Sequence, residues 1–316
     1  MKNILVMGGT GFVGRSVCER LVERSATGRL VVPTRRLPHG LRVRSLPTVE
    51  LIEADVHDDR QLAGALAGVD AVINLVAILH GSRAAFEHVH VALPRRLAAA
   101  CKAAGVQRIV HVSALGVGPN APSNYLRSKT EGEAVLQAAG LDLTVLRPSV
   151  IFGNDDAFLN LFARLQSVAP FLPLAGSDAK FQPVWVEDVA SAVVGCLDKP
   201  ETIGKTYECA GPQVYTLADL TRLAGRWSGH ERPVIPLPTF VGRLQAGLME
   251  LLPGQPLMSR DNVDSMQVPN VASGQLPGLQ ALGIEPAALE AIGPGYLGVG
   301  VGRGRFNRFR AGAGRG

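Results

Sequence analysis

The feature that most constrains this chain is a glycine-rich turn that follows a short apolar run near the N-terminus. The segment NILVMGGTGFVGRSV places three glycines between a strand-like run and an apolar-periodic helix. Glycines at this spacing let the backbone turn tightly and approach a pyrophosphate, which then faces the helix N-terminus. We therefore favour a dinucleotide-binding turn over a glycine turn used only for packing. The residues predicted to contact the cofactor here are Gly8, Thr10, Gly11, Phe12, Val13, Gly14 and Arg15.

Short β-rich runs alternate with helical patterns through the first half of the chain. The candidate strands are KNILVM, RLVVPT, VELIEA, DAVINLV, RIVHVS and LTVLRP. Alternation of this kind is typical of βαβ units, whose helices cover both faces of a parallel sheet. We predict a Rossmann-type doubly wound α/β fold. Its parts are an NADP(H)-binding domain over residues 1–150, a smaller C-terminal α/β lobe sharing the sheet over 151–297, and a disordered Gly/Arg-rich tail over 298–316.

Composition and charge exclude several classes of protein. The longest apolar runs, such as Ala71 to Leu79, are far shorter than the roughly 20 residues of a membrane span. We expect a cytoplasmic protein without an export signal. Four scattered cysteines, with no histidine at metal spacing, favour buried thiols over disulfides or a metal site. Five arginines in the last nineteen residues account for the net charge of +5, so the rest of the chain is close to neutral. Nucleic acid is therefore not an expected partner.

Cofactor choice is read where the second strand ends. An NAD enzyme typically has an acid about 20 residues beyond the glycines, whereas a ribose phosphate requires arginine. This chain has Arg35 and Arg36 there and no acid from Leu30 to Pro47. Guanidinium groups suit a phosphate, so NADP(H) is preferred, with NAD(H) as the alternative. These arginines could also be solvated loop charges, and Arg15 could share or take over the role.

Two further strand ends are predicted to line the cofactor. Asp55 and Val56, after the third strand, are placed to meet the adenine, although Asp55 could equally cap the helix that begins at Asp58. The segment that ends the fourth strand is expected to pass along the middle of the cofactor. Its contact residues are Leu75, Val76 and Ala77.

Tyr125 and Lys129 are four residues apart where a helix begins, so they lie on one face of it. A free phenol is only about 0.1% ionised at pH 7, and a nearby ammonium group is expected to lower its pKa for acid/base work. The lysine can also hydrogen-bond the nicotinamide ribose. The same spacing is common on solvated helix faces, but after the fifth strand of a glycine-rich βαβ sheet it favours a cofactor site.

The runs GGTGFVG, YLRSK, LRPSVIFG and WVEDVA together resemble the short-chain dehydrogenase/reductase superfamily in its extended or atypical branch, the NAD-dependent epimerase/dehydratase type. Within it, SNYLRSK, RPSVIFG and QPVWVEDVA are most similar to the nucleotide-binding accessory subunit of respiratory complex I and its bacterial relatives. The resemblance implies that the three glycines hold the pyrophosphate and Asp55 the adenine. It also implies that Tyr125 and Lys129 lie against nicotinamide and its ribose, with Pro148 and Ser149 beside the carboxamide.

The sequence departs from active members of that superfamily after the fifth strand. Active members usually have a Ser or Thr there, which hydrogen-bonds the substrate oxygen that the tyrosine protonates. Here Ser113 ends the strand and is followed by Ala114 and Leu115. Either Ser113 serves with Tyr125 and Lys129 as the third catalytic group, or the site lacks it. The histidines, including His90 and His111, are expected to be packed rather than catalytic.

The second half of the chain offers aromatic and apolar residues but no charged constellation. FVGRLQAGLMELL puts apolar residues on one helical stripe, which we interpret as a core face, with a membrane or partner surface as the alternative. An apolar, quinone-like ligand is predicted from aromatic residues that would line the lobe. These are Phe152, Phe158, Phe162, Trp185 and Phe240.

Two functional hypotheses follow. In the first, the protein holds NADPH in a structural, assembly or sensing role, attached to a membrane respiratory complex or its assembly intermediates, and lies in the cytoplasm or peripherally at the inner face of the membrane. In the second, it is an active NADP-dependent reductase, epimerase or dehydratase that uses Tyr125 and Lys129 on a small carbonyl, quinone-like or sugar-nucleotide substrate.

Overall fold

A parallel sheet of seven strands organises the protein. The computed structural model describes residues 1–24, 26–251 and 256–298. The strand order in the sheet is β11-β6-β5-β4-β1-β2-β3. Its strands are β1 (Ile4–Met7), β2 (Leu30–Thr34), β3 (Val49–Glu53), β4 (Ala71–Asn74), β5 (Arg108–Val112), β6 (Asp142–Pro148) and β11 (Thr206–Cys209). The first six were predicted, and their order is that of a Rossmann fold, so the predicted fold class is confirmed. The seventh strand was not among the six candidates.

Helices cover both faces of this sheet because its central strands are apolar on both sides, as parallel strands usually are. One face packs against α1 (Phe12–Glu23), α2 (Leu41–Arg44) and α8 (Val186–Asp198). The other packs against α3 (Asp59–Ala65), α5 (Leu93–Ala104) and α6 (Asn124–Gln137). The four cysteines are buried free thiols within these layers, as predicted.

The helical segment after β4 is interrupted. It consists of α4 (Arg83–Glu87), a π-helical turn (His88–Ala92) and then α5, which begins at Leu93 with Pro94 in its first turn. Proline lacks an N–H group, so the carbonyl of His90 receives no helical bond from it. That carbonyl instead lies against Gly132 of α6, where a Cβ atom would overlap its oxygen. The interruption therefore lets α6 approach closely.

Residues after 150 form smaller elements around a separate apolar cluster. The strands are β7 (Ile151–Phe152), β8 (Leu172–Ala175), β9 (Lys180–Phe181), β10 (Val184–Trp185), β12 (Tyr215–Thr216) and β13 (Val234–Leu237), which pair two by two. The helices are α7 (Leu159–Val168), α9 (Leu217–Trp227), α10 (Thr239–Glu250), α11 (Arg260–Ser265) and α12 (Leu289–Leu297). Thr216 caps α9 with a capping box that Asp219 completes.

One sequence interpretation is wrong here. The apolar stripe of FVGRLQAGLMELL does not face the core: Phe240, Leu244 and Leu248 of α10 are exposed, and its buried residues are Gly242 and Ala246. The small residues let the helix lie close to β8, which leaves the bulky ones in solvent. Among the described helices, none has the length and apolar character needed to cross a membrane. The predicted disordered tail over 298–316 lies, except for Gly298, outside the described residues.

Candidate functional site

The glycine turn between β1 and α1 is shaped by close backbone contacts. Gly8 has φ +80°, a left-handed conformation that favours glycine. A Cβ atom on Gly14 would overlap the carbonyl oxygen of Gly8 and lie 2.6 Å from the Cα of Gly9. Gly11 precedes α1 without a side-chain cap, so the first-turn N–H groups of the helix are not satisfied by that residue. A negatively charged group fits such a terminus.

The loop after β4 lies directly against this turn. A Cβ atom on Gly8 would come within 3.3 Å of Leu75. The Val76 N–H donates to Asn74 Oδ1 at 3.2 Å, and the Ile78 N–H donates to His90 Nε2 at 3.1 Å. The predicted cofactor segment from Leu75 to Ala77 is thus held at both ends beside the glycine turn.

The arginines at the end of β2 are exposed. Arg35 and Arg36 follow the buried Thr34, whose hydroxyl donates to the carbonyl of Arg36 at 3.1 Å. Arg15 lies in an ion pair with Asp155 at 2.9 Å, and Arg42 shares that carboxylate. Arg35 and Arg36 are thus exposed beside the glycine-rich half of the sheet, whereas the Arg15 guanidinium is already engaged by Asp155.

Contacts after β3 decide between the two interpretations of Asp55, as an adenine ligand or as a helix cap. The Asp55 carboxylate accepts a hydrogen bond from the His57 N–H at 3.0 Å. Asp58, not Asp55, caps α3, since its carboxylate accepts from the N–H groups of Arg60 and Gln61. The interpretation of Asp55 as a helix cap is wrong, because the cap must immediately precede the first turn. Asp55 and Val56 remain at the end of β3, where the adenine was predicted.

Tyr125 and Lys129 lie in the first turns of α6, which Ser123 caps. Lys129 is 2% exposed, and its Nζ donates to the carbonyl oxygen of Val112 at 2.8 Å. Burial lowers the pKa of Lys129 to about 8, and the Glu133 carboxylate opposes that shift. The ring of Tyr125 packs edge-on against Phe86 and His90, with centroids 6.0 and 5.5 Å apart.

The expected effect of Lys129 on Tyr125 is not found. Burial raises the pKa of the Tyr125 phenol to about 12. The expectation of a lowered pKa is wrong for this arrangement, because the loss of water around the ring outweighs any attraction from the ammonium group. Near neutral pH the tyrosine is a neutral hydrogen-bond donor.

Ser113 has a buried hydroxyl without a hydrogen-bond partner among the described residues. It lies at the end of β5, next to the carbonyl of Val112 that receives Lys129. Ala114 and Leu115, which follow it, are buried. A buried hydroxyl without a partner is costly unless a bound group satisfies it. Together with the glycine turn and the uncapped α1, this hydroxyl fits a bound dinucleotide.

Pro148 and Ser149 end β6, but the Ser149 hydroxyl is already engaged. Its Oγ lies 2.7 Å from Asn270 Oδ1 and accepts from the Gln182 N–H at 3.2 Å. The carbonyl of Pro148 accepts from the Leu115 N–H at 2.9 Å. The structure therefore places both residues at the C-terminal end of β6, with the serine hydroxyl directed toward elements of the C-terminal half.

Buried histidines link the segments of the site. His90 Nδ1 lies 2.8 Å from Ser128 Oγ, and His111 Nδ1 lies 3.2 Å from Asn74 Nδ2. Burial lowers the pKa of both rings, that of His90 to about 3. The prediction that these histidines are packed is confirmed. No sequence pattern indicated Asn74 or Ser128 as their partners.

A cavity of about 620 Å³ lies beside the N-terminus of α6. Asp261 of α11 borders it and accepts from the N–H groups of Asn124 and Tyr125 at 2.7 and 3.0 Å. Its lining is polar, and it includes His80, Ser82, Arg83, Arg243, Glu250 and Arg260. The aromatic lining predicted from the sequence is wrong. Phe152 and Phe162 are buried in the apolar cluster of the lobe with Phe158 and Trp185 packed against them, and Phe240 is exposed.

Comparisons with known proteins agree with this geometry. A family model described as NAD(P)H-binding matches residues 8–200. The chain is 34% identical over 292 residues to the mouse mitochondrial NADH dehydrogenase [ubiquinone] 1 alpha subcomplex subunit 9, covering 90% of this chain and 77% of the mouse protein. It is 29% identical over 248 residues to a ceramide reductase of Caulobacter vibrioides, covering 78% and 76%.

A solved structure supports the fold. The NADPH-dependent quinone oxidoreductase of Escherichia coli, complexed with NADPH, superposes with a TM-score of 0.73 at 22% identity, over 91% of this chain and 97% of that one. The resemblance inferred from the sequence motifs is confirmed by these relatives. The chain therefore belongs to the family of NAD(P)H-binding Rossmann proteins with a fold of the short-chain dehydrogenase/reductase type.

Proposed function

We propose that the protein holds NADPH as a structural, assembly or sensing element of a membrane respiratory complex or of its assembly intermediates. The observation that carries this proposal lies after β5, where buried Ala114 and Leu115 stand in place of the hydroxyl that would fix a substrate oxygen. Similarity to a subunit of NADH dehydrogenase supports the partner. Such a protein would work peripherally, at the inner face of the membrane.

In this proposal the two parts of the chain divide the work. Residues 1–150 bind the nucleotide, with Gly8, Gly11 and Gly14 at the pyrophosphate and Lys129 at the nicotinamide ribose. Residues 151–297 face the partner. Tyr125, a neutral donor near pH 7, positions the nicotinamide by a hydrogen bond rather than by transferring a proton.

The preference for NADP(H) rests on Arg35 and Arg36, which are exposed at the end of β2 with no acid beside them in sequence. Changing both to Ala should weaken NADPH binding about tenfold to a hundredfold and leave NADH binding unchanged. Exposed arginines elsewhere provide the control, as Arg60 and Arg95 changed to Ala alter the net charge equally. Isothermal titration with both nucleotides measures the effect, and equal losses in the two double variants would contradict the assignment.

The alternative is an active NADP-dependent reductase, epimerase or dehydratase on a small carbonyl, quinone-like or sugar-nucleotide substrate. One observation favours it: the buried hydroxyl of Ser113 has no partner among the described residues, so it remains free for a substrate oxygen. The polar cavity next to Asn124 has room for such a substrate.

One experiment on the purified protein distinguishes the two proposed functions. The bound nucleotide is identified, and ketones, quinones and sugar nucleotides are offered. Retained NADPH without oxidation or exchange is the expected result, whereas multiple turnovers would overturn the structural role. Tyr125→Phe should keep the nucleotide in a holding protein and lose the rate in an enzyme. Tyr215→Phe, a tyrosine bonded to Glu290 in the lobe, is the matched control.

A further inference from the structure

Helix α10 exposes a row of large apolar side chains. Phe240, Leu244, Leu248 and Leu251 are 74, 67, 61 and 81% exposed. Their spacing by three and four residues places them on one face of the helix. Apolar residues scattered singly on a surface are ordinary, but a contiguous row of this size marks a contact surface.

The opposite face of α10 explains why these side chains cannot turn inward. Gly242 and Ala246 are its buried residues, and a Cβ atom on Gly242 would overlap that of Ala175 in β8. α10 therefore packs against β8, in the β8–β13 pair, through its smallest residues. This packing keeps the apolar row facing outward, because the opposite face of α10 is occupied by its contact with β8.

The paired strands β8 and β13 next to α10 expose apolar side chains as well. Side chains alternate along a strand, so Phe171 and Pro173 share with Ala175 the face on which α10 lies. Ile235 of β13 pairs with Pro173 and points to the same face. Phe171 and Ile235 are 49 and 44% exposed. We call this set, with Val168 at the end of α7, the α10 surface; its members are Val168, Phe171, Ile235, Phe240, Leu244, Leu248 and Leu251.

Two arginines near the α10 surface form no ion pair within the described residues. Arg164 lies one turn before Val168 on α7, and Arg232, two residues before β13, donates to the Gln166 carbonyl at 3.2 Å. The acids Glu231, Glu250 and Asp264 are paired with Arg226, Arg260 and Arg243. An occupant that is apolar at its centre and anionic beside these two arginines fits the surface.

We propose that the α10 surface seats on the interface of an anionic lipid bilayer. Acyl chains receive the protruding Phe and Leu side chains, and lipid phosphates meet Arg164 and Arg232. A second copy of this chain fits less well, because a two-fold interface brings the same patch against itself. Its arginines would then face apolar side chains and one another.

The test uses the full-length protein with its nucleotide and vesicles of phosphatidylcholine with or without phosphatidylglycerol. Flotation should show binding to the anionic vesicles, and Phe240→Ser, Leu244→Ser and Leu248→Ser together should reduce it about tenfold or more. Ile203→Ser with Val214→Ser removes exposed apolar residues outside the α10 surface and should change nothing. Nucleotide content and melting temperature should be the same in all three proteins, which separates this proposal from the NADPH role.

A fluorescent probe locates the contact. Leu244→Trp should shift its emission to shorter wavelength when anionic vesicles are added, whereas Val214→Trp should not. Absence of binding, equal binding to neutral vesicles, or an unshifted Trp at 244 would overturn the proposal. So would a wild-type dimer in sedimentation velocity that the triple serine variant dissociates, since the occupant would then be a second copy.

Discussion

His90 holds three segments of the nucleotide site together through both of its ring nitrogens. Nε2 accepts from the Ile78 N–H, so the proton lies on Nδ1, which faces Ser128 Oγ. Ser128 in turn donates to the carbonyl of Tyr125 at 2.8 Å. Only the neutral ring can make this arrangement, because a protonated ring has no acceptor.

Acid should therefore destabilise the protein through His90. Burial lowers its pKa to about 3 from 6.5, so between these values the unfolded chain binds a proton that the folded protein does not. The free energy of unfolding should fall as pH drops from 6.5 toward 3, by up to a few kcal/mol. Urea unfolding at several pH values measures this. His90→Asn should flatten the dependence relative to wild type, and exposed His39→Asn should not; parallel curves for His90→Asn and wild type would contradict the assignment.

At the same scale, the sequence predicted the relative placement of candidate site residues but not their surroundings. The spacing of Tyr125 and Lys129 predicts that they share a helix face. Spacing does not indicate that Lys129 is buried and Tyr125 partly so, and the loss of water around these groups is what shifts their pKa values. The partners of Ser149 and Tyr125 could not be predicted either, because Asn270 and Asp261 are more than 120 residues away in sequence.

At the scale of elements, the contact between α6 and the π-helical turn is the tightest helix approach at the site. A Cβ atom at Gly132 would overlap the His90 carbonyl oxygen, and backbone cannot move aside as a flexible side chain can. Gly132→Ala should therefore lower the free energy of unfolding by about 1–3 kcal/mol. Gly64→Ala in α3, where a Cβ meets nothing within 4 Å, should raise it by about 0.4–1 kcal/mol. Thermal unfolding compares the two, and a neutral Gly132→Ala would show that α6 is free to shift.

The elements also show where sequence patterns fail. Six strands were found because a buried parallel strand is an unbroken apolar run, bounded by turns. The apolar stripe of α10 gave the wrong orientation because a helix that faces a core and one that faces outward have the same period. Only the placement of Gly242 against Ala175 distinguishes them, and that depends on tertiary structure.

At the scale of the whole molecule, the buried Arg108 links the sheet to the C-terminal half. Its guanidinium donates to the Asp142 carbonyl at 2.7 Å, to Thr144 Oγ1 at 2.8 Å and to Thr202 Oγ1 at 3.0 Å. It also reaches the carbonyl of Cys196 in α8. One apolar core runs from Ile4 to Leu282, so both halves of the chain share it.

Loss of this guanidinium should weaken the whole fold. Arg108→Met leaves several buried acceptors without a donor and should lower the free energy of unfolding by about 2–4 kcal/mol. Calorimetry should show one transition for the shared core in both proteins, at a lower temperature in the variant. Arg95→Met, at an exposed position, is the control and should unfold as wild type does. A second, separate transition confined to Arg108→Met would mean that the arginine alone joins the two halves.

The carboxylate of Asp261 gives the fold a route for communication between distant surfaces. The Asp261 carboxylate accepts a hydrogen bond from the Tyr125 N–H at the start of α6. Two ion pairs join α11, the helix that carries Asp261, to α10. A partner that displaces α10 would therefore act on Tyr125, first through the ion pairs to α11 and then through the Asp261 carboxylate. Thermodynamic coupling is reciprocal, so a nucleotide that shifts Tyr125 would also change the affinity of α10 for an external partner. In the proposed holding role, this coupling would signal the occupancy of the nucleotide site to a partner without turnover of the nucleotide.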